Sequence, residues 1–271
     1  MSAHLQREIE RLKKHVLSLC ALVEDQVQLA LRAVLDRDEA MAKEVEQRDL
    51  DIDQREIEVE EECMKTLALH QPVAVDLRLI IATMKINNDL ERIGDMAVNI
   101  ARKARALASE PAVEVPFDLG AMWAKTQAML RDSIDALVNM DAVQATDVCR
   151  RDDEVDRMKY EIRIEVENMI RHQPERVRAL LRLLAVSRNL ERIADLATNI
   201  AEDVVYLVEG RIVRHGNKLC RPSAPAIIVN LPHQAVDHRR VLPGRIDAEP
   251  LDLHHVAAHV GQPDGANDHA A

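Results

Sequence analysis

Residues 90–101 read LERIGDMAVNIA, and residues 190–201 read LERIADLATNIA. Nine of the twelve positions are identical, and the three exchanges (Gly94/Ala194, Met96/Leu196, Val98/Thr198) are mild. A repeat one hundred residues apart requires the chain to build one unit twice, and that period is too long for a solenoid of small repeats. The repeated stretch also carries charge in an unusual place. On a helix, residues four apart share a face. Glu91, Asp95 and Asn99 therefore form one oxygen-bearing stripe, and Glu191, Asp195 and Asn199 form a second. Like charges at that spacing weaken an isolated helix by about 0.2–0.5 kcal/mol. A helix needing only a soluble face would set Lys or Arg four residues after the Glu, and this chain sets Asp there twice. The spacing points to a cation between the carboxylates.

The surrounding sequence is helical. Only two of the seven glycines and four of the ten prolines precede residue 210, and helix formers fill the rest, which predicts an all-α body. Aromatic residues make up 1% of the chain, so the core is expected to be aliphatic, with no stacking platform for single-stranded nucleic acid. Leu5, Ile9, Leu12, Val16, Leu19, Val23, Val27, Ala30 and Val34 recur at spacings of three and four, predicting a helix over about 4–35. Asp38 is placed to cap a second, and His70-Gln71-Pro72 stops it. A third follows over about 73–108, with the first motif at its middle. Asp118 then caps a fourth helix and Asp141 a fifth, His172-Gln173-Pro174 repeats the stop, and a sixth ends at Gly210. The expectation is two tandem repeated three-helix bundles, 1–110 and 118–212, joined by a linker over 111–117 and followed by an irregular tail over 213–271. That tail holds six of the ten prolines and seven of the eleven histidines, and is expected to be disordered or loosely attached. A short helix over 251–260 and a metal-binding segment at His254, His255 and His259 are the competing readings there.

The net charge of −11 is not spread evenly. The last 61 residues hold seven basic and six acidic groups, leaving 29 and 41 in the first 210, a net of −12. An acidic body argues against nucleic acid and suits cations or a basic protein surface. Cys20, Cys63, Cys149 and Cys220 form no zinc-type spacing and read as reduced thiols. The first residues lack an apolar signal core, and no stretch reaches the roughly 18 apolar residues of a spanning helix. The expectation is a cytoplasmic protein that meets a membrane only through a partner.

A second acid pair lies upstream of each motif: Asp49 and Asp53 in the first unit, Asp152 and Asp156 in the second. With a tight turn at each His-Gln-Pro, adjacent helices run antiparallel. Asp53 stands 18 residues before Gln71 and Glu91 stands 19 after Pro72; the second unit gives 17 and 17. At equal rise per residue the two pairs in each unit lie at matched heights, so four carboxylates face one another twice. Hard oxygen ligands suit Mg²⁺, Mn²⁺, Ca²⁺ or iron rather than zinc. The structural alternative is neutralisation by Arg48, Arg92, Arg151 and Arg192, each beside an acid. His70 and His172, at helix C-termini, read as caps. No Glu-x-x-His, glycine-rich phosphate loop, Gly-x-Ser-x-Gly or HExxH occurs, so catalysis lacks a nucleophile with its base.

These motifs, with QPVAVDLR (71–78) ahead of the third helix, resemble the PhoU family over about residues 1–215. The resemblance implies two three-helix bundles with multinuclear metal clusters on paired E(D)xxxD motifs. Carried onto this chain, the ligands are Asp49, Asp53, Glu91, Asp95, Asp152, Asp156, Glu191 and Asp195, with Asn99 and Asn199 as additional oxygen ligands. It implies iron, manganese, magnesium or zinc as the metal. It also implies an adaptor, expected to be a homodimer, between the ATPase subunit of a phosphate ABC transporter and a sensor histidine kinase, restraining uptake when phosphate is plentiful. The competing classes are a carboxylate-cluster metalloenzyme and a metal-free helical interaction module.

Overall fold

The computed structural model of the chain describes residues 3–211. Helix α1 spans Ala3–Leu35, α2 Glu39–His70, α3 Ala74–Ala108, α4 Leu119–Asn139, α5 Ala142–His172 and α6 Val177–Glu209. There is no strand among the described residues. The expected tail over 213–271, with its candidate helix and histidines, lies outside them, as does Cys220.

The capping aspartates work as their sequence position predicts. The Asp38 carboxylate accepts the amides of Ala40 and Met41 at 2.7 and 3.1 Å. Asp141 accepts those of Val143 and Gln144 at 2.8 and 3.0 Å, and Asp118 accepts that of Ala121 at 2.9 Å. Gly210 closes α6 with a left-handed φ of 70°. An added Cβ there would stand 3.1 Å from Arg78 Nη1, so the guanidinium would have to shift, and the left-handed backbone itself favours glycine.

The two His-Gln-Pro stops differ in build. In the first, Gln71 turns left-handed at φ 44° and Val73 is extended before α3 begins. In the second, Pro174–Arg176 forms a 3₁₀ turn that leads directly into α6. Stiff, β-branched Val73 favours extended backbone after the first proline, whereas Glu175 and Arg176 accept a helical turn. His172 donates from Nδ1 to the Asn168 carbonyl at 2.8 Å, as a C-terminal cap should. His70 instead packs edge-on against His4, with ring centroids 5.3 Å apart.

All nine residues of the α1 stripe are buried, and the core is Leu, Ile, Val, Met and Ala almost throughout. Within each half the three helices pack on one another, and across the halves α3 lies along α6 while α1 touches α4. The two motif helices thus form the central wall. Lys85 of α3 pairs with Asp203 of α6 and lies 5.6 Å from the Tyr206 ring centroid. The connecting segment is fastened from both sides: Arg37 donates to the carbonyls of Leu107 and Glu110, and Arg182 to the Glu110 carboxylate. Cys20, Cys63 and Cys149 are buried. Burial pushes the Cys20 and Cys63 thiols up to about 12, which leaves them unreactive near neutral pH.

Candidate metal centre

In the first half, the acids of α2 and α3 do meet across the helix pair. The Gln26 amide of α1 donates from Nε2 to Asp49 Oδ1 at 3.0 Å. Desolvation raises the Asp49 carboxyl above the usual range, Asp53 and Asp95 add to it, and the Gln26 hydrogen bond opposes it. Glu91 is raised as well, by desolvation first and then by Asp95, Asp53, Glu56 and Asp49. Glu56 was not singled out by spacing, yet it faces the same group. Desolvation, Glu60 and Asp53 raise it too, and its Oε1 accepts from Asn87 Nδ2 at 3.1 Å. Helices α2 and α3 pack closely at Gly94, where an added Cβ would come into van der Waals contact with two Ile52 methyl carbons at 3.4 Å and with Asp49 Oδ1 at 3.5 Å.

The second half assembles the same four acids and adds a base. Lys159 Nζ donates to Asp156 Oδ1 at 2.8 Å on its own helix and to Glu191 Oε1 at 2.6 Å on α6. Burial alone would depress this ammonium, but those hydrogen bonds and charges hold it above the ordinary lysine value. Asp152 and Asp195 are both pushed up to about 6. Desolvation is the largest cause in each, followed by the neighbouring carboxylates, with Lys159 pulling the other way. Asp195 is exposed by surface area, yet the dense wall of side chains around it still strips it of much of its hydration. Asp152, Asp195 and Asn199 open onto a cleft of about 1000 Å³ between the halves, which Lys85, Arg92 and Asp203 also line. Asn99 is half-buried on α3.

The arginine explanation for these acids does not hold. Arg48 pairs with Glu44, Arg92 with Asp89, and Arg151 with Asp132 and Asp147. No ion pair recorded for these arginines or for Arg192 ends on one of the eight acids. Among the described residues, no three acidic, histidine or cysteine side chains converge closely enough to grip one ion. The carboxylates form open faces, and closing them around a cation takes rotation of the side chains.

In donor chemistry the first face fits a hard cation. It offers only carboxylate and amide oxygens, and two buried amide oxygens beside it, Gln26 Oε1 and Asn87 Oδ1, lack a hydrogen-bond partner. Gln26, Asn87, Glu56 and Lys159 escaped the spacing argument. The signal that finds the last two is the register between the halves, which sets an acid and a base at one position.

Both halves match one family model. Residues 16–104 and 119–204 each match the PhoU domain. The chain belongs to the PhoU family. A Pseudomonas aeruginosa protein named phosphate-specific transport system accessory protein PhoU homolog is 38% identical over 218 residues, covering 79% of this chain and 89% of its own. A Clostridium acetobutylicum protein of the same name is 35% identical over 209 residues, covering 77% and 95%. The crystal structure of PhoU from Pseudomonas aeruginosa has a TM-score of 0.73 at 38% identity, over 76% of this chain and 99% of that one. The phosphate transport system regulatory protein PhoU from Streptococcus pneumoniae also gives 0.73, at 30% identity, over 78% and 100%. These PhoU relatives are named as accessory or regulatory proteins, not as enzymes. No described helix is long and apolar enough to cross a membrane.

Proposed function

We propose that the chain is a metal-binding regulator of phosphate transport. It works in the cytoplasm as a homodimer, linking the ATPase subunit of a phosphate importer to a sensor histidine kinase and restraining uptake when phosphate is abundant. The observation that carries the regulatory role is the match of both halves to the PhoU domain, among relatives named for accessory or regulatory roles in phosphate transport. The carboxylate faces of α2–α3 and α5–α6 support the metal-binding part, since desolvated like charges crowd there and Arg102, which lowers Asp49 only through space, does not offset that desolvation. Asp49, Asp53, Glu91 and Asp95 would hold a cation in the first half, and Asp152, Asp156, Glu191 and Asp195 in the second. A bound metal would supply charge neutralisation and cross-linking between neighbouring helices. Long acidic helix faces suit basic partner surfaces, whose encounter weakens with added salt.

The test is a deletion strain grown in abundant phosphate, with any second copy of the gene also removed. Phosphate-starvation genes should switch on and uptake should run unrestrained. Normal repression in that strain would remove the regulatory assignment. Elemental analysis of gently purified protein tests the metal part separately.

A further inference from the structure

The two halves superimpose in sequence with a constant offset through their first two helices, which carries cap Asp38 onto Asp141 and the pair Asp49/Asp53 onto Asp152/Asp156. On that register Glu56 falls on Lys159 and Gln26 on Met129. In the third helices, whose motifs are one hundred residues apart, Asn87 falls on Ser187. Three positions around the acids therefore change character together.

We propose that Lys159 is a built-in cation holding the bridging place of the second carboxylate face. A divalent metal ion is then taken by the first face, and enters the second only when the ammonium is removed. The proposal rests on the metal-binding reading above and narrows it: of the two faces given there, only the first takes a metal ion while the Lys159 ammonium is the cation held by the second.

The geometry of Lys159 is that of a bridging ion. Its Nζ stands 2.8 Å from Asp156 on α5 and 2.6 Å from Glu191 on α6, tying together the two helices that a metal would tie. No ion pair recorded among the described residues bridges the acids of the first face, where Arg102 lowers Asp49 only through space. The exchange of Glu56 for Lys159 at this one position is a change of two formal charges, the charge of one divalent ion.

The buried amides mark the same asymmetry from behind. Gln26 and Asn87 are each 1% exposed. Gln26 spends its NH₂ on Asp49, and Asn87 spends its NH₂ on the Glu56 carbonyl and carboxylate. Their oxygens are left without partners. A buried acceptor left unmet costs about 1–3 kcal/mol, and amide oxygens are ordinary ligands, directly or through water, for hard cations. At the two equivalent places the second half leaves no amide oxygen unmet, although the Thr198 hydroxyl between Asp195 and Asn199 lacks a partner. Buried Met129 has no polar side-chain donor to leave unpaired, and the Ser187 hydroxyl donates to the Leu184 carbonyl at 2.9 Å.

The experiment is a Mn²⁺ titration of the chelator-stripped full chain, followed by calorimetry with the bound ion counted by electron paramagnetic resonance. In the wild type, Asp49→Asn with Asp53→Asn should remove most binding, and Asp152→Asn with Asp156→Asn should remove little. Lys159→Gln should gain a further set of bound Mn²⁺, with affinity at the second face rising about tenfold or more. That gain should vanish when Asp152→Asn and Asp156→Asn are added, and Lys159→Arg, which keeps the charge, should show none. Lys159→Met serves as a second neutral variant, and circular dichroism melting confirms that each variant folds. Unchanged Mn²⁺ binding in both neutral variants overturns the proposal, as does a wild type that loses equal shares from the two Asp pairs. A wild type binding no Mn²⁺ strikes the metal-binding reading instead. Lys159→Gln then still decides, a gain upholding the built-in cation and no gain ending it.

Discussion

The first half of the molecule faces five carboxylates across α2 and α3, with two unpaired buried amide oxygens behind them. The second half faces four across α5 and α6 and threads a lysine between them. The scaffolds underneath are nearly interchangeable: Asp38 and Asp141 cap equivalent helices, and Leu90 and Leu190 are both fully buried. Packing tolerates little change in volume at such buried positions. A half-buried side chain on an open face can change sign and leave the packing beneath it in place. The duplicated unit has kept its frame and exchanged the charge mounted on it.

The sharpest way to break this contrast is to copy the second half into the first. Glu56→Lys should place an ammonium among Asp49, Asp53 and Glu91 and lower metal binding by the first half by about tenfold or more. Glu91→Gln with Asp95→Asn should do the same by removing ligands, whereas Glu191→Gln with Asp195→Asn should change total metal little. Elemental analysis of the purified variants measures all three. Equal losses from the two double variants would show that the halves load alike.

Next in size are the cores, which should respond identically. Leu90→Ala and Leu190→Ala should each cost about 2–5 kcal/mol in urea unfolding, because both leave a cavity at a fully buried site. A gap between them of more than about 1.5 kcal/mol, beyond the usual spread among well-packed sites, would mean that the frames have diverged too.

The frame was legible because its signals are local. Periodicity, capping aspartates, the prolines after His70 and His172, and Gly210 each act within a turn or two of the chain, and the six helices begin and end close to those marks. The facing of the acids was legible too, since helical rise converts spacing into height. Three things were not. Arg48 beside Asp49 looked like its partner, but neighbours in sequence point about 100° apart on a helix, and Arg48 reaches back four residues to Glu44 instead. Gln26 contributes from α1, a helix with no acid motif, so only the packed bundle brings it to Asp49. The second His-Gln-Pro stop ends in a 3₁₀ turn because of the residues after its proline, which the shared tripeptide does not contain.

A smaller effect tests how each half seats its two acid-bearing helices. The first uses Ile52 against Gly94, and the same places in the second hold Val155 and Ala194, one methyl moved from one helix to the other. Ile52→Val alone should cost about 0.5–1.5 kcal/mol. Adding Gly94→Ala should recover most of it, since alanine suits a helix interior better by up to about 1 kcal/mol and the missing methyl makes room. A double-variant cycle in urea measures the coupling, and additive losses would mean that the pair does not share its space.

The smallest effect is on pH; both halves contribute in the same direction, and the largest shifts are in the second. Asp152 and Asp195 titrate near 6 in the folded chain, above the ordinary 3.8, so the fold binds their protons more readily than the unfolded chain does. In chelator-treated protein their cost to stability is full above about pH 6 and fades as pH falls toward 4. Both are partly open to water, which screens the effect. The melting temperature should therefore rise modestly from about pH 7 to pH 5, and Asp152→Asn or Asp195→Asn should flatten that rise.

The packing of α3 along α6 has a mechanical consequence. At 35 residues, α3 is a beam about 50 Å long. Its carboxylates sit near mid-span, on a different side from the one that lies on α6. Drawing them toward α2 applies a sideways load at the centre of that beam, and a tilt of about 5° would carry its tips through roughly 2 Å. The tip bearing Arg78 abuts the last turn of α6 at Gly210, so a load on the first half would reach the end of the second through that contact.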